Sequence, residues 1–167
     1  GGSLRVYVSN KKNFKNEEKI KKHILKERKI LKLFKNETYE NFKKNINLCK
    51  QKLNLIIKKL SKKKCKIAGY GAAAKTTTLL NYFNLCENKD IRFIFDDNVL
   101  KQSLYIPGTK IKIISPKNIY SKNFDILIIF AWNYSDVIIK KLNKNKKFTK
   151  RGGKFLIPFP VPKIIND

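Results

Sequence analysis

The sequence has no methionine, one tryptophan and one histidine, and only three cysteines, seven glycines and five prolines among its 167 residues. Cys49, Cys65 and Cys86 are odd in number and form no CxxC pair. Neither a disulfide framework nor a structural zinc site is indicated. The scarcity of glycine and proline, with no short repeat, excludes collagen-like and low-complexity classes. Long apolar runs are missing too: Ile126–Trp132 falls far short of the ~20 residues that span a bilayer. Nothing at the front reads as a signal peptide. A chain without Met that opens Gly1-Gly2-Ser3-Leu4-Arg5 is expected to be part of a longer polypeptide. Catalytic combinations are absent as well. His23 lies alone in a Lys-rich helical stretch, and no Ser/His/Asp set, Cys/His pair or metal cluster is at hand. No catalytic base is expected on this chain.

Acidic residues are few: 12 Asp+Glu against 39 Lys+Arg give a net charge of +27. Such an excess invites a nucleic-acid reading. Only Arg5, Arg28, Arg92 and Arg151 are Arg, however, and the Lys residues are spread along the whole chain with many Asn and Ile. Base and phosphate readout favours the bidentate fork of Arg. A Lys-coated surface on a packed protein accounts for the pattern, and disfavours nucleic acid. A polyanion site remains open, and a nucleotide diphosphate would satisfy it as well as DNA. The 42% hydrophobic content is enough for a core.

Leu4–Val8 alternates apolar and basic residues and reads as a short strand. From Glu17 to Leu60 the period turns helical. Ile20, Ile24, Leu25, Ile30 and Leu31 form one stripe; Phe42, Ile46, Cys49, Leu53, Ile56, Ile57 and Leu60 form another, with a break expected near Asn36–Thr38. After Lys64, strands alternate with helices. Lys66–Tyr70, Ile91–Phe95, Ile111–Ile114, Ile126–Phe130 and Lys154–Pro158 read as strands; Ala73–Asn84 and Ser135–Asn145 read as helices. Asp125–Phe130 is almost wholly apolar, as befits a central parallel strand covered on both faces. The expectation is an α/β fold: a doubly wound, Rossmann-like parallel sheet of about five strands in order 3-2-1-4-5, preceded by amphipathic helices.

Gly69-Tyr70-Gly71-Ala72-Ala73-Ala74-Lys75-Thr76 follows the first strand and opens a helix. Gly69 and Gly71 permit a tight turn, the small residues keep the loop low, and N–H groups at the helix start attract an anion. Lys75 and the Thr hydroxyls add charge and hydrogen bonds. The third Gly of the dinucleotide fingerprint and the GKS/T of a P-loop are both missing, so a structural turn stays open as the alternative. Asp96-Asp97 ends the second strand, where doubly wound sheets present a carboxylate to ribose hydroxyls; a polar strand end or helix cap is the bland reading. Pro107 and Gly108 lie in a turn before the third strand. Trp132 and Asn133 end the fourth, where strand order should reverse, and an aromatic with an amide there suits a base or sugar. Core packing of Trp132 is the alternative. Gly69, Gly71 and Lys75 should therefore converge with Asp96, Asp97, Trp132 and Asn133 at the carboxyl ends of the strands.

These residues carry a resemblance. Gly69–Lys75, Thr78–Tyr82, Phe95-Asp96-Asp97, Lys101-Gln102, Tyr105–Thr109, Ser115-Pro116, Ala131-Trp132-Asn133 and Gly152–Pro158, in that order, resemble the C-terminal domain of the S-adenosylmethionine-dependent sugar C-methyltransferases, which methylate a carbon of nucleotide-linked deoxysugars. Gly1–Val8 is similar to the last strand of that family's preceding methyltransferase domain. The resemblance implies three segments: residues 1–9, a trailing strand of an upstream methyltransferase domain; 10–63, a helical linker; and 64–167, a nucleotide-sugar-binding domain. It also implies that S-adenosylmethionine is bound upstream, that zinc sits in an N-terminal domain, and that this chain holds neither. The implied partners are a nucleotide-diphosphate sugar and the upstream domain, with no membrane, in the cytoplasm. The implied binding set is Gly69, Tyr70, Gly71, Ala72, Lys75, Thr76, Asp96, Asp97, Pro107, Gly108, Trp132 and Asn133. Thr76 departs from the family, many of whose members carry Gly after the Lys. On this view the chain alone transfers no methyl group. Two other readings stay open: a dinucleotide-binding domain of an oxidoreductase, against which the missing third Gly and the Tyr105–Thr109 turn weigh, and a basic nucleic-acid-binding module.

Overall fold

The computed structural model describes residues 5–8, 17–86 and 90–165. The chain divides into two compact units, residues 1–47 and 48–167.

In the first unit, α1 (Glu17–Leu25) opens with Glu17 and Glu18 and closes with Lys22 and His23. Acid at the start and base at the end complement the helix dipole. A single π-helical turn, Lys26–Ile30, follows. The break falls at Leu31–Lys35, slightly before the position expected from the periodicity, and Lys32 takes a left-handed conformation there (φ 49°). Thr38 Oγ1 and Tyr39 OH donate to the Lys32 and Leu33 carbonyls at 2.8 and 2.7 Å and fasten the break. None of α1's residues is buried. Arg5–Val8 forms no strand and is exposed; Gly1–Leu4 lie outside the described residues, as do residues 9–16.

The helix α2 (Asn36–Lys62) runs from the first unit into the second. Its buried residues, Cys49, Leu53, Ile57 and Leu60, recur at steps of three and four and all belong to the second unit. The second unit contains β1 (Ile67–Tyr70), α3 (Ala74–Tyr82), β2 (Ile91–Phe95), β3 (Lys112–Ile114), β4 (Ile126–Ile129), α4 (Ser135–Asn143), α5 (Lys147–Lys150), β5 (Lys154–Ile157) and β6 (Lys163–Ile165). The sheet order is β3-β2-β1-β4-β5-β6. The first five strands are parallel and in the expected order. The sixth, antiparallel to β5, was not expected. Every residue of β1 and β4 is buried, as the apolar runs demand of central strands covered on both faces.

One face packs Phe95, Phe124, Phe148 and Phe155 with Ile138 and Leu142 of α4. On α3, Lys50 Nζ and Asn54 Nδ2 of α2 donate to the Tyr82 and Phe83 carbonyls at 2.7 and 3.0 Å, satisfying acceptors that the helix end leaves open. Among the described residues, no helix is long and apolar enough to cross a membrane.

Candidate functional site

The order in which strands are added reverses between β1 and β4. From β1 the chain crosses to β2 and β3 on one side; β4 then starts the other side. Such a switch point leaves a crevice at the carboxyl ends of the two strands. A cleft of about 270 Å³ opens there, lined by Ala73, Ala74 and Lys75 after β1 and by Phe130 to Tyr134 after β4. Lys75 Nζ stands 5.5 Å from the Trp132 ring centroid. Behind it, Trp132 tilts against Phe159, centroids 5.2 Å apart. A short 3₁₀ turn, Trp132–Tyr134, presents these side chains. The lining is mainly apolar with a cation at one wall, a combination suited to an anionic ligand that carries a flat or apolar part. The first turn of α3 adds N–H groups at Ala74 and Lys75 that have, by position, no intrahelical acceptor.

The loop beneath Lys75 is fixed by hydrogen bonds. Gly71 takes φ 95°, and a side chain there would put its Cβ 2.8 Å from Ala131 Cβ, so glycine is required for both reasons. Gly71 N–H donates to the Phe95 carbonyl at 2.7 Å. Ala72 N–H donates to Asp96 Oδ2 at 2.6 Å, and Lys101 Nζ donates to the Ala72 carbonyl at 2.9 Å. Thr76 is fully buried; its hydroxyl donates to the Gly71 carbonyl at 2.6 Å and accepts from Ala73 N–H at 3.3 Å. The hydroxyl that departs from the family pattern is therefore turned into the loop rather than toward a ligand. Gly69 serves packing: a Cβ there would meet the Phe130 ring at 2.7 Å and Ile94 at 2.8 Å.

The two carboxylates that end β2 have different partners. Asp96 accepts from Ala72 N–H on one oxygen and from Asn98 N–H at 2.8 Å on the other. Asp97 accepts from Tyr70 OH at 2.7 Å and from Lys141 Nζ at 2.8 Å; Lys141 also reaches the Tyr70 oxygen at 3.3 Å. Burial raises the Asp97 pKa, but the hydrogen bonds from Lys141 and Tyr70 and the Lys141 charge outweigh it and hold the carboxyl below its usual value. The bond to Asp97 raises Lys141. Burial, followed by donation to Asp97, pushes the Tyr70 phenol up to about 12, so it stays a neutral donor.

Of the residues singled out from sequence, Lys75, Trp132 and Asn133 line one cleft. Gly71, Ala72, Thr76 and Asp96 form the loop scaffold next to it. Tyr70 and Asp97 belong to the Lys141 network, and Tyr70 shares a buried cluster with Ile138 and Leu142 of α4. Pro107 and Gly108 sit against Asn81, whose Nδ2 donates to the Pro107 carbonyl at 3.2 Å; Gly108, at φ 73°, would drive a Cβ to 2.6 Å from Asn81 Oδ1. Asn81 follows Ala74 by about two helical turns, so this turn lies along the far half of α3. Sequence reasoning did not select Lys101 or Lys141 as site residues. Lys101 stood inside a matching segment; Lys141 gave no signal. Among the described residues, no group of three or more His, Cys, Asp or Glu could hold a metal ion.

A C-methyltransferase, NovU of Streptomyces niveus, is 39% identical over 100 residues, which are 60% of this chain and 23% of that protein. The chain thus spans about a quarter of that relative. A solved structure, UDP-D-quinovosamine 4-dehydrogenase from Vibrio fischeri, aligns with a TM-score of 0.40 and 20% identity over 55% of this chain and 75% of that one. Residues 1–160 match the family described as the C-methyltransferase C-terminal domain, and the chain belongs to it.

Proposed function

We propose that the second unit is the part of an S-adenosylmethionine-dependent C-methyltransferase that holds the acceptor, a sugar linked to a nucleotide diphosphate, and that the cleft between the β1 and β4 ends takes the nucleotide. The observation that carries this reading is Lys75 and Trp132 facing each other across a crevice at the switch point. The diphosphate meets Lys75 and the N–H groups that open α3; Trp132 covers an apolar face of base or sugar; Asn133 offers an amide for a polar edge. The methyl donor and the family's zinc belong, in this reading, to other domains of the enzyme. S-adenosylmethionine supplies an electrophilic methyl group. This chain's residues bind and orient the acceptor, which makes methyl transfer a problem of placement. A high positive charge also draws the doubly charged diphosphate inward.

Calorimetry with thymidine diphosphate tests the reading. A charge-assisted contact is worth roughly 1.5–3 kcal/mol, so Lys75→Ala should weaken binding about 10- to 100-fold while the protein stays folded. Equal affinity in both proteins, or no binding to the folded wild type, would remove the nucleotide from this cleft.

A further inference from the structure

We infer that Asp96 and Lys101 are positioning residues that clamp the backbone of Ala72, one at its N–H and one at its carbonyl, and that Asp96 is not the ribose-binding carboxylate its place at the end of β2 suggests. The inference rests on the nucleotide reading above for its binding readout, but the clamp has a readout of its own.

The geometry is specific. Asp96 Oδ2 accepts from the Ala72 N–H at 2.6 Å, and Lys101 Nζ donates to the carbonyl of the same residue at 2.9 Å. One amino acid thus has its donor and its acceptor held by two charged side chains of the segment after β2. The remaining Asp96 oxygen is held by Asn98 N–H at 2.8 Å, which starts the 3₁₀ turn Val99–Lys101 that carries Lys101. Gln102 Nε2 donates to the Asp96 carbonyl at 3.0 Å and ties the end of that turn back to Asp96. Asp96 therefore orients both the loop and the turn that delivers the second half of the clamp. Neither Asp96 nor Lys101 lines the cleft, whereas Ala73, Ala74 and Lys75 follow Ala72 directly and do. The direct hydrogen bond from Asp96 toward the cleft-lining loop runs through the Ala72 backbone. A loop held in place beforehand loses less ordering entropy on binding.

Asparagine is the informative substitution. An amide keeps one acceptor and turns a donor toward either Ala72 N–H or Asn98 N–H, so one of the two bonds must fail. Lys101→Met keeps the stem and removes the other half of the clamp. The full chain is titrated with thymidine diphosphate and with 5-methyluridine diphosphate, which differ only in the 2′-hydroxyl. Hydrogen exchange of the Ala72 amide is followed in parallel. The expected result is a loss of about 10-fold in affinity for each single variant, equal for both nucleotides. The double variant should lose clearly less than the product of the two, because both act through the backbone of one residue. Ala72 exchange should quicken in Asp96→Asn. A loss confined to the 2′-hydroxyl form would make Asp96 a ribose ligand and overturn the proposal, as would multiplicative losses. If Asp96→Asn does not fold, Lys101→Met decides, and wild-type affinity in it overturns the clamp. If the folded wild type binds neither nucleotide, the nucleotide reading falls on its own; Ala72 exchange in Asp96→Asn then decides the clamp, with a faster rate upholding it and an unchanged rate overturning it.

Discussion

On the β2 side of β1, the polar groups beyond the strand ends are spent on one another. Asp96 holds Ala72 and Asn98, Asp97 holds Tyr70 and Lys141, and Lys101 holds Ala72 again. On the β4 side the chain leaves a cleft whose wall is a lysine facing an indole. Both sides lie at the carboxyl edge of the same strand, and sequence position alone rates them equally. What separates them is how much hydrogen-bonding capacity the protein has already used. A carboxylate whose two oxygens each accept a short bond from the protein is scaffold first; a cation packed on an aromatic face keeps all three N–H donors for a newcomer.

The comparison can be broken at its base. Gly69 lies beneath both sides, against Ile94 of β2 and Phe130 after β4. Gly69→Ala should cost roughly 1–3 kcal/mol by overpacking, read as a fall in melting temperature of roughly 2–4 °C per kcal/mol. A melting curve like the wild type would mean that Phe130 has room to move. Next in size, Trp132→Ala should weaken thymidine diphosphate binding by about tenfold or more, since stacking on an aromatic is worth roughly 1–3 kcal/mol. Tyr70→Phe should show the reverse pattern: about 1 kcal/mol less stability at neutral pH and unchanged nucleotide affinity. It should also alter the alkaline limb. The Tyr70 phenol is raised from an unfolded value near 10 to about 12. The stability from its neutral form is complete below the lower value and drains away as pH rises toward the upper one. Tyr70→Phe has nothing to ionise there and should lose less stability across that window, as denaturant titrations at several pH values would show.

The smallest effect belongs to Asp97→Asn. The Asp97–Lys141 pair is more than half exposed on both side chains, so solvent screens it and its net worth stays under about 1 kcal/mol. Its sign is acidic. The Asp97 carboxyl is held below its usual value, so its contribution is present above the unfolded pKa and is lost as pH falls through the folded one. Asp97→Asn should flatten that part of the acid limb without touching nucleotide affinity.

The sheet was legible in the sequence because its information is local. The apolar Ile126–Phe130 run and the helix-opening glycines each name their element, and the right-handed crossover rule orders the strands. β6 escaped because Pro158, Pro160 and Pro162 punctuate the approach to it, and its three residues, Lys163–Ile165, become a strand only by pairing with β5. The helical stripes foretold helices but not what covers them. Leu53 and Ile57 are buried, whereas Phe42, on the same helix, is exposed. For the site, the cleft trio of Lys75, Trp132 and Asn133 followed from strand ends alone. Lys141 did not. It meets Asp97 across 44 positions, from a helix on which the neighbouring Lys140 looks the same. The orientation of Thr76 is not legible for a related reason: a hydroxyl in the first turn of a helix can face outward to an anion or inward to the loop, and the buried Gly71 carbonyl draws it inward.

Trp132 is the only indole in the chain. It stands in the cleft wall, its ring against Phe159 on one contact and the Lys75 ammonium on another. Near-ultraviolet excitation at the red edge, where the seven tyrosines absorb little, therefore collects light from this cleft and nowhere else. A ligand that draws the ammonium away, or slides over the ring, changes the polarity and charge around the emitter. The protein carries its own optical gauge of occupancy, readable in stopped flow without a label. The same signal, followed over milliseconds, would time the entry of a ligand into the cleft.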